Sequence, residues 1–149
     1  MITPDQVDPI LMSRLRTEEG KRNVAYQDTL GVWTIGEGHT GPEVVPGLVW
    51  TDQQCDDQFR IDIADHCNQL EQALPWTDQL DPVRLRVLQD MTFNMGVYHL
   101  LAFHNTLSAC QRGDYDATAD GMEASLWAKE VGQRAQTLAD IMRSGVDPS

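Results

Sequence analysis

One apolar stripe constrains this chain more than any other feature. Cys55, Phe59, Ile63, Cys67, Leu70 and Leu74 recur every three or four residues, the repeat of a single helix face. Thr51 and Gln54 form a capping box ahead of the stripe, and Pro75 cannot continue it. The pattern predicts one helix over 52–74, about 35 Å long at about 1.5 Å per residue. In a chain of 149 residues, the size of one compact domain, so long a helix is expected to bridge two lobes.

The sequence changes texture on either side of it. Asp8 and Pro9 read as N-cap and first helical residue, Ile10, Leu11 and Leu15 follow at helical spacing, and Gly20 is a stop. Glu19 is therefore expected at the end of the first helix. Val24, Tyr26, Val32, Trp33, Thr34 and Ile35 favour strands, punctuated by Asp28, Gly31, Gly36, Gly38 and Gly41. They predict a short antiparallel hairpin or meander of at most three strands. Beyond the long helix, Asp81 and Pro82 open another, with Val87, Leu88, Met91 and Met95 inward and Gly96 at its end. Short helices are expected near 105–112 and 116–127, and Ala135, Leu138, Ala139 and Met142 mark a last one closed by Gly145. The expected architecture is a single α+β domain. A small sheet lobe (about 20–50) is joined by the long helix to a mainly helical lobe (about 81–145), with a cleft between them.

Composition narrows the function classes. Eleven basic against 23 acidic residues give a net charge of −12, the opposite of a nucleic-acid-binding stripe. No window approaches 18 uninterrupted apolar residues, so no stable membrane insertion is expected. The first residues lack a basic segment followed by an apolar run, so no signal peptide is read and the chain is expected in the cytoplasm where it is made. Cys55, Cys67 and Cys110 form no CxxC pair, and His99 and His104 stand five apart, off one helix face. Buried reduced thiols and no metal are expected. Residues 36–41 spell a formal GxGxxG, but Pro42 and Pro46 follow where a nucleotide site needs a helix to open.

Glu19, Asp28 and Thr34 suggest chemistry: one acid ends a helix, the next lies in the first sheet turn, and the threonine lies on a strand just beyond. Glycoside hydrolysis needs two carboxyl functions, one protonated to donate to the leaving oxygen and one ionised to activate water or attack. Different surroundings can drive their proton affinities apart, and a nearby hydroxyl can hold the water. With 23 acids in the chain, this spacing alone singles nothing out.

The local sequence does. Residues 18–41 read EEGKRNVAYQDTLGVWTIGEGHTG. Glu19-Gly20, eight residues between Glu19 and Asp28, Gly31, then Trp33-Thr34-Ile35-Gly36 and Gly38-His39 resemble the phage lysozyme family. The likeness continues more weakly through Phe59 with Asp62, Leu80-Asp81, Val83-Arg84, Phe93-Asn94-Met95-Gly96, Phe103, Asn105, Leu107, Trp127 and Arg134-Ala135. It implies a lysozyme-like fold and a muramidase that hydrolyses the β-1,4 bond between N-acetylmuramic acid and N-acetylglucosamine in bacterial peptidoglycan, without a cofactor. Carried over by position, Glu19 is the general acid, and Asp28 and Thr34 position the water. The family inverts at the anomeric carbon, so the two carboxyls are expected about 6.5–9.5 Å apart. Thr40, Phe93, Asn94 and Thr106 match positions lining the saccharide cleft, and His39 matches a structural histidine paired with an aspartate, here Asp62. The implied setting is a monomeric endolysin that reaches the wall during host lysis with the help of a holin-type pore-forming partner. A lytic transglycosylase, or an inactive wall-binding or virion module, stays open as an alternative.

Three features depart from the family pattern. Gly121 stands where the family has a sugar-contacting Asn, and Glu37 stands where an apolar or aromatic residue is usual, so it is expected either to face solvent or to enter the cleft. Between 51 and 81 there are eight acids (Asp52, Asp56, Asp57, Asp62, Asp65, Glu71, Asp78 and Asp81) against Arg60 alone. That acidic surface should repel an anionic wall, and salt should screen the repulsion.

Overall fold

The computed structural model of the chain describes residues 1–148, in two compact units: Met1–Asn68, and the remainder from Gln69. In the first unit, α1 (Pro9–Glu19) starts where the Asp8 side chain accepts from the backbone N–H groups of Ile10 (2.8 Å) and Leu11 (3.4 Å). Leu11, Met12 and Leu15 are its buried face. Ile10, expected on that face, is 48% exposed. At about 100° per residue it lies far round the helix from Leu11 and Leu15, and Met12 is buried in its stead. Gly20, at φ 68°, ends the helix with its N–H on the Arg16 carbonyl and turns the chain into the sheet.

The sheet is an antiparallel meander of β1 (Arg22–Gln27), β2 (Trp33–Gly36) and β3 (His39–Thr40), in that order. Tyr26 faces Thr34 across β1–β2, and Thr34 faces Thr40 across β2–β3. The outer edge of β1 is met by residues 48–50: Ala25 donates to the Leu48 carbonyl (2.9 Å) and Trp50 to the Asn23 carbonyl (2.7 Å). The chain then enters α2 (Asp52–Ala73) through the capping box, with Thr51 N–H on Gln54 Oε1 (2.8 Å) and Gln54 N–H on Thr51 Oγ1 (3.1 Å). Cys55, Phe59, Ile63, Cys67 and Leu70 are all buried along the helix. Leu74 falls just beyond it, at the start of a 3-10 turn over Pro75–Gln79.

In the second unit, α3 (Pro82–Met95) is capped by Asp81 and closed by Gly96. A one-turn helix α4 (Val97–Leu100) follows, then α5 (His104–Gln111). The single helix expected over 116–127 is two, α6 (Tyr115–Glu123) and α7 (Leu126–Val131), because the Ser125 side chain accepts from Ala128 N–H and starts a new helix. The last helix, α8 (Gln133–Ser144), ends at Gly145 in the left-handed region. One apolar cluster runs from Leu70 through Val87, Leu88, Met91, Leu107 and Met122 to Leu138 and Met142. The three thiols are buried and outside any disulfide; burial pushes Cys67 up to about 12 and Cys110 up to about 11. Among the described residues, no helix is long and apolar enough to cross a membrane.

Candidate active site

Glu19 is the last residue of α1, and its carboxyl lies against the turn between β2 and β3. A Cβ built on Gly38 would stand 2.7 Å from Glu19 Oε2 and 3.3 Å from its Cδ. Gly38 also has φ +85°, so its place in the turn excludes a side chain for both steric and conformational reasons. The half-buried helix-end carboxyl therefore rests on sheet backbone.

Asp28 follows β1 and folds the β1–β2 loop around itself. Its Oδ1 accepts from the backbone N–H groups of Leu30 (2.8 Å) and Val32 (2.9 Å), and its own N–H donates to the Val32 carbonyl (2.9 Å). Thr34, 4% exposed on β2, donates its hydroxyl to that same carbonyl at 3.0 Å. The Val32 peptide thus ties the carboxylate residue and the hydroxyl residue together, and both belong to the sheet that backs Glu19.

His39 stands on β3 next to Gly38. Its Nδ1 lies 2.7 Å from Asp62 Oδ2 on α2, its Nε2 lies 2.6 Å from Glu43 Oε1, and its ring is 5.5 Å from that of Trp50. Burial disfavours the imidazolium, but the hydrogen bonds to Glu43 and Asp62 outweigh it, and His39 titrates above its ordinary value. Glu43 is not legible in the sequence as a partner, because four residues across a loop carry no fixed geometry.

Of the two expectations for Glu37, exposure to solvent is not met; the residue lines a cavity together with Arg16, Lys21, Asp52 and Asp56. Its side chain is buried, the whole residue being 3% exposed, and its Oε2 accepts from Arg16 Nε on α1 at 3.2 Å. Burial raises its proton affinity, and the Arg16 hydrogen bond and charge oppose that. Arg16 Nη2 also donates to Asp56 Oδ1 on α2 at 2.6 Å. Neither Arg16 nor Asp56 stood out in the sequence; the one available signal was that Arg16 precedes Glu19 by three residues, on the same face of α1.

The remaining predicted positions divide between the units. Thr40 is exposed on β3, opposite Thr34. Phe93 and Asn94 lie in the last turn of α3, where Asn94 Oδ1 accepts from Trp127 Nε1–H at 2.7 Å. Thr106 is buried on α5, beside a cavity of about 380 Å³ that Phe103, Gly121 and Trp127 also line. A Cβ on Gly121 would come within 2.3 Å of Thr106 Oγ1, so the glycine is what allows that hydroxyl its position.

A three-stranded sheet packed on a helix-end glutamate, followed by a long helix and a helical unit, has the architecture of a lysozyme-like fold. Residues 16–143 match the phage lysozyme family, and the chain belongs to that family of glycoside hydrolases. It is 30% identical over 125 residues to the "Endolysin" of Salmonella phage P22, covering 79% of this chain and 80% of the relative. Two other relatives are the "Pre-baseplate central spike protein Gp5" of Enterobacteria phage T4 (27% identity, 96% of this chain) and the "SAR-endolysin" of Enterobacteria phage P21 (26%, 74% of this chain). The chain spans 29% of the length of the first of these two and 65% of the second.

Proposed function

We propose that the chain is a muramidase that hydrolyses the β-1,4 bond between N-acetylmuramic acid and N-acetylglucosamine of peptidoglycan strands, with inversion. Glu19 protonates the departing glycosidic oxygen. Asp28 and Thr34 hold the water that attacks the anomeric carbon from the opposite face, and Asp28 takes the proton the water loses. The observation that carries this reading is the seat of the Glu19 carboxyl on Gly38, in the same small sheet whose first loop is built around Asp28 and closed on Thr34. A half-buried acid on backbone and a second one in a hydrogen-bonded loop have the unequal surroundings that such a division of labour requires. Thr40, Phe93, Asn94 and Thr106 contact the saccharide, and the His39–Asp62 pair stabilises the sheet.

The test is product analysis after digestion of purified peptidoglycan. Reducing N-acetylmuramic acid ends in the α configuration are expected at first release, and Glu19→Gln should lose at least ~10²-fold in rate, about 3 kcal/mol of barrier. A 1,6-anhydro end would replace hydrolysis by transglycosylation. That second reading draws support from Asp28, whose Oδ1 already has a structural task in its loop. We assign the setting as host lysis assisted by a pore-forming partner, in line with likeness to a protein named endolysin. Likeness to a central spike protein supports the competing idea of a virion-borne enzyme. Detecting the chain in purified particles would favour the latter.

A further inference from the structure

We infer that the ion pair between buried Glu37 and half-exposed Arg16 positions the Glu19 carboxyl, by locking the β2–β3 turn beneath the end of α1. The inference rests on the reading of Glu19 as the proton donor. The turn is Glu37 and Gly38, entered from Gly36 at the end of β2 and followed by His39 on β3. It is hemmed in on two sides: a Cβ on Gly36 would stand 3.3 Å from the Trp50 ring, and one on Gly38 would strike Glu19 Oε2. Between these two contacts the only side chain of the turn is that of Glu37, and it points into the protein. Its side chain is 2% exposed and meets the Arg16 guanidinium.

A carboxylate at the tip of a β-turn ordinarily stays in water, and burying one is costly without a partner. Here the partner is anchored twice more. Arg16 donates to Asp56 on α2, and its guanidinium carbon sits 5.6 Å from the centre of the Phe59 ring. Asp56 in turn accepts from Arg60 Nε at 3.2 Å. The chain Glu37–Arg16–Asp56–Arg60 joins turn, α1 and α2. Arg16 lies one helical turn before Glu19 on the same face, so the tether and the acid share one rigid segment. The residue that backs the acid, Gly38, is thus bonded directly to a residue clamped to the acid's own helix.

The charged groups acting on Glu37 are Arg16, Asp56 and Lys21, and Lys21 is itself paired with Asp52 at 3.0 Å. Removing the Glu37 carboxyl takes away the tether and leaves Arg16 paired with Asp56 alone.

The test compares wild type, Glu37→Gln, the double variant Arg16→Gln/Glu37→Gln, and Glu19→Gln, measuring kcat and KM against pH on solubilised glycan strands, with a melting curve for each. In Glu37→Gln, kcat is expected to fall about tenfold with KM little changed. That split separates a misplaced acid from weakened substrate binding. The double variant should keep kcat low and KM unchanged, because the tether is still missing. Wild-type kcat in either variant, or a loss carried by KM instead, would overturn the inference. If Glu19→Gln itself stays active, the assignment of the acid fails instead, and the two failures are thereby separated.

Discussion

The two units hold themselves together differently. The helical unit is organised around one contiguous apolar cluster; beside the caps Asp81, Asp114 and Ser125, its polar side chains join helix to helix, as in Arg134–Asp90 (2.9 Å) and Asn94–Trp127 (2.7 Å). The sheet unit has buried residues too, among them Leu11, Leu15, Ile35, Phe59 and Ile63, but its loops are placed by polar side chains reaching across sequence. Asp28 shapes the first loop, His39 joins β3 to α2, and Arg16 joins α1 to the turn and to α2. Apolar packing tolerates shifts of side chains of similar shape, whereas a hydrogen-bonded carboxyl is held to within tenths of an ångström. The proposed reacting groups sit where the second kind of restraint prevails.

That contrast can be broken, starting with the largest effect. Leu138→Ala in the helical core should cost about 2–5 kcal/mol of stability, since the cavity it leaves is lined by close-packed neighbours. Its activity per folded molecule should stay near wild type. Denaturant melts with activity normalised to folded protein would show this, and a matching loss of intrinsic activity would mean the two units are not separable in function.

Gly38→Ala is the counterpart in the sheet unit. The added methyl needs a left-handed backbone and meets the Glu19 carboxyl, so about 1–3 kcal/mol of stability should be lost. Here activity per folded molecule should also drop, by tenfold or more, because the acid is pushed from its seat. Retained turnover would show that the contact with Gly38 is incidental.

A smaller effect concerns His39. Its folded-state proton affinity is raised, so the charged ring favours the folded state. That contribution is complete below the unfolded value of about 6.5 and disappears as pH rises through the higher folded value. Melting temperatures of wild type should decline across that window. In Glu43→Gln, with one of the two carboxylates gone, the decline should be smaller and should end at lower pH. Identical curves would leave Asp62 as the only partner that matters.

The smallest effect is one of salt. With a net charge of −12, activity on intact wall should rise modestly with ionic strength up to about 0.1 M as repulsion is screened. A fall from the lowest salt onward would mean that attraction at some local patch dominates.

Helix ends were the most legible part of this chain. Asp8-Pro9, Thr51 with Gln54, Asp81-Pro82 and the closing glycines 20, 96 and 145 each announce a boundary through two to four neighbouring residues. The break between α6 and α7 was present too, as the step of five from Met122 to Trp127 and a serine able to cap, but a run of helix formers conceals it. Within the candidate site, Glu19, Asp28 and Thr34 could be picked out because a motif of fixed spacing contains them. The ion pairs around them could not, since Arg16, Glu43 and Asp56 are ordinary charged residues among 34 in the chain.

By itself, then, the order of residues determined where helices begin and stop, which faces are apolar, and which short segment carries the family pattern. These depend on interactions among near neighbours. The burial of Glu37, its pairing with an Arg16 that also donates to Asp56, and the second carboxylate on His39 were decided only by tertiary structure. Charge type says that a side chain needs a partner, and only the folded backbone determines which partner comes within 3 Å.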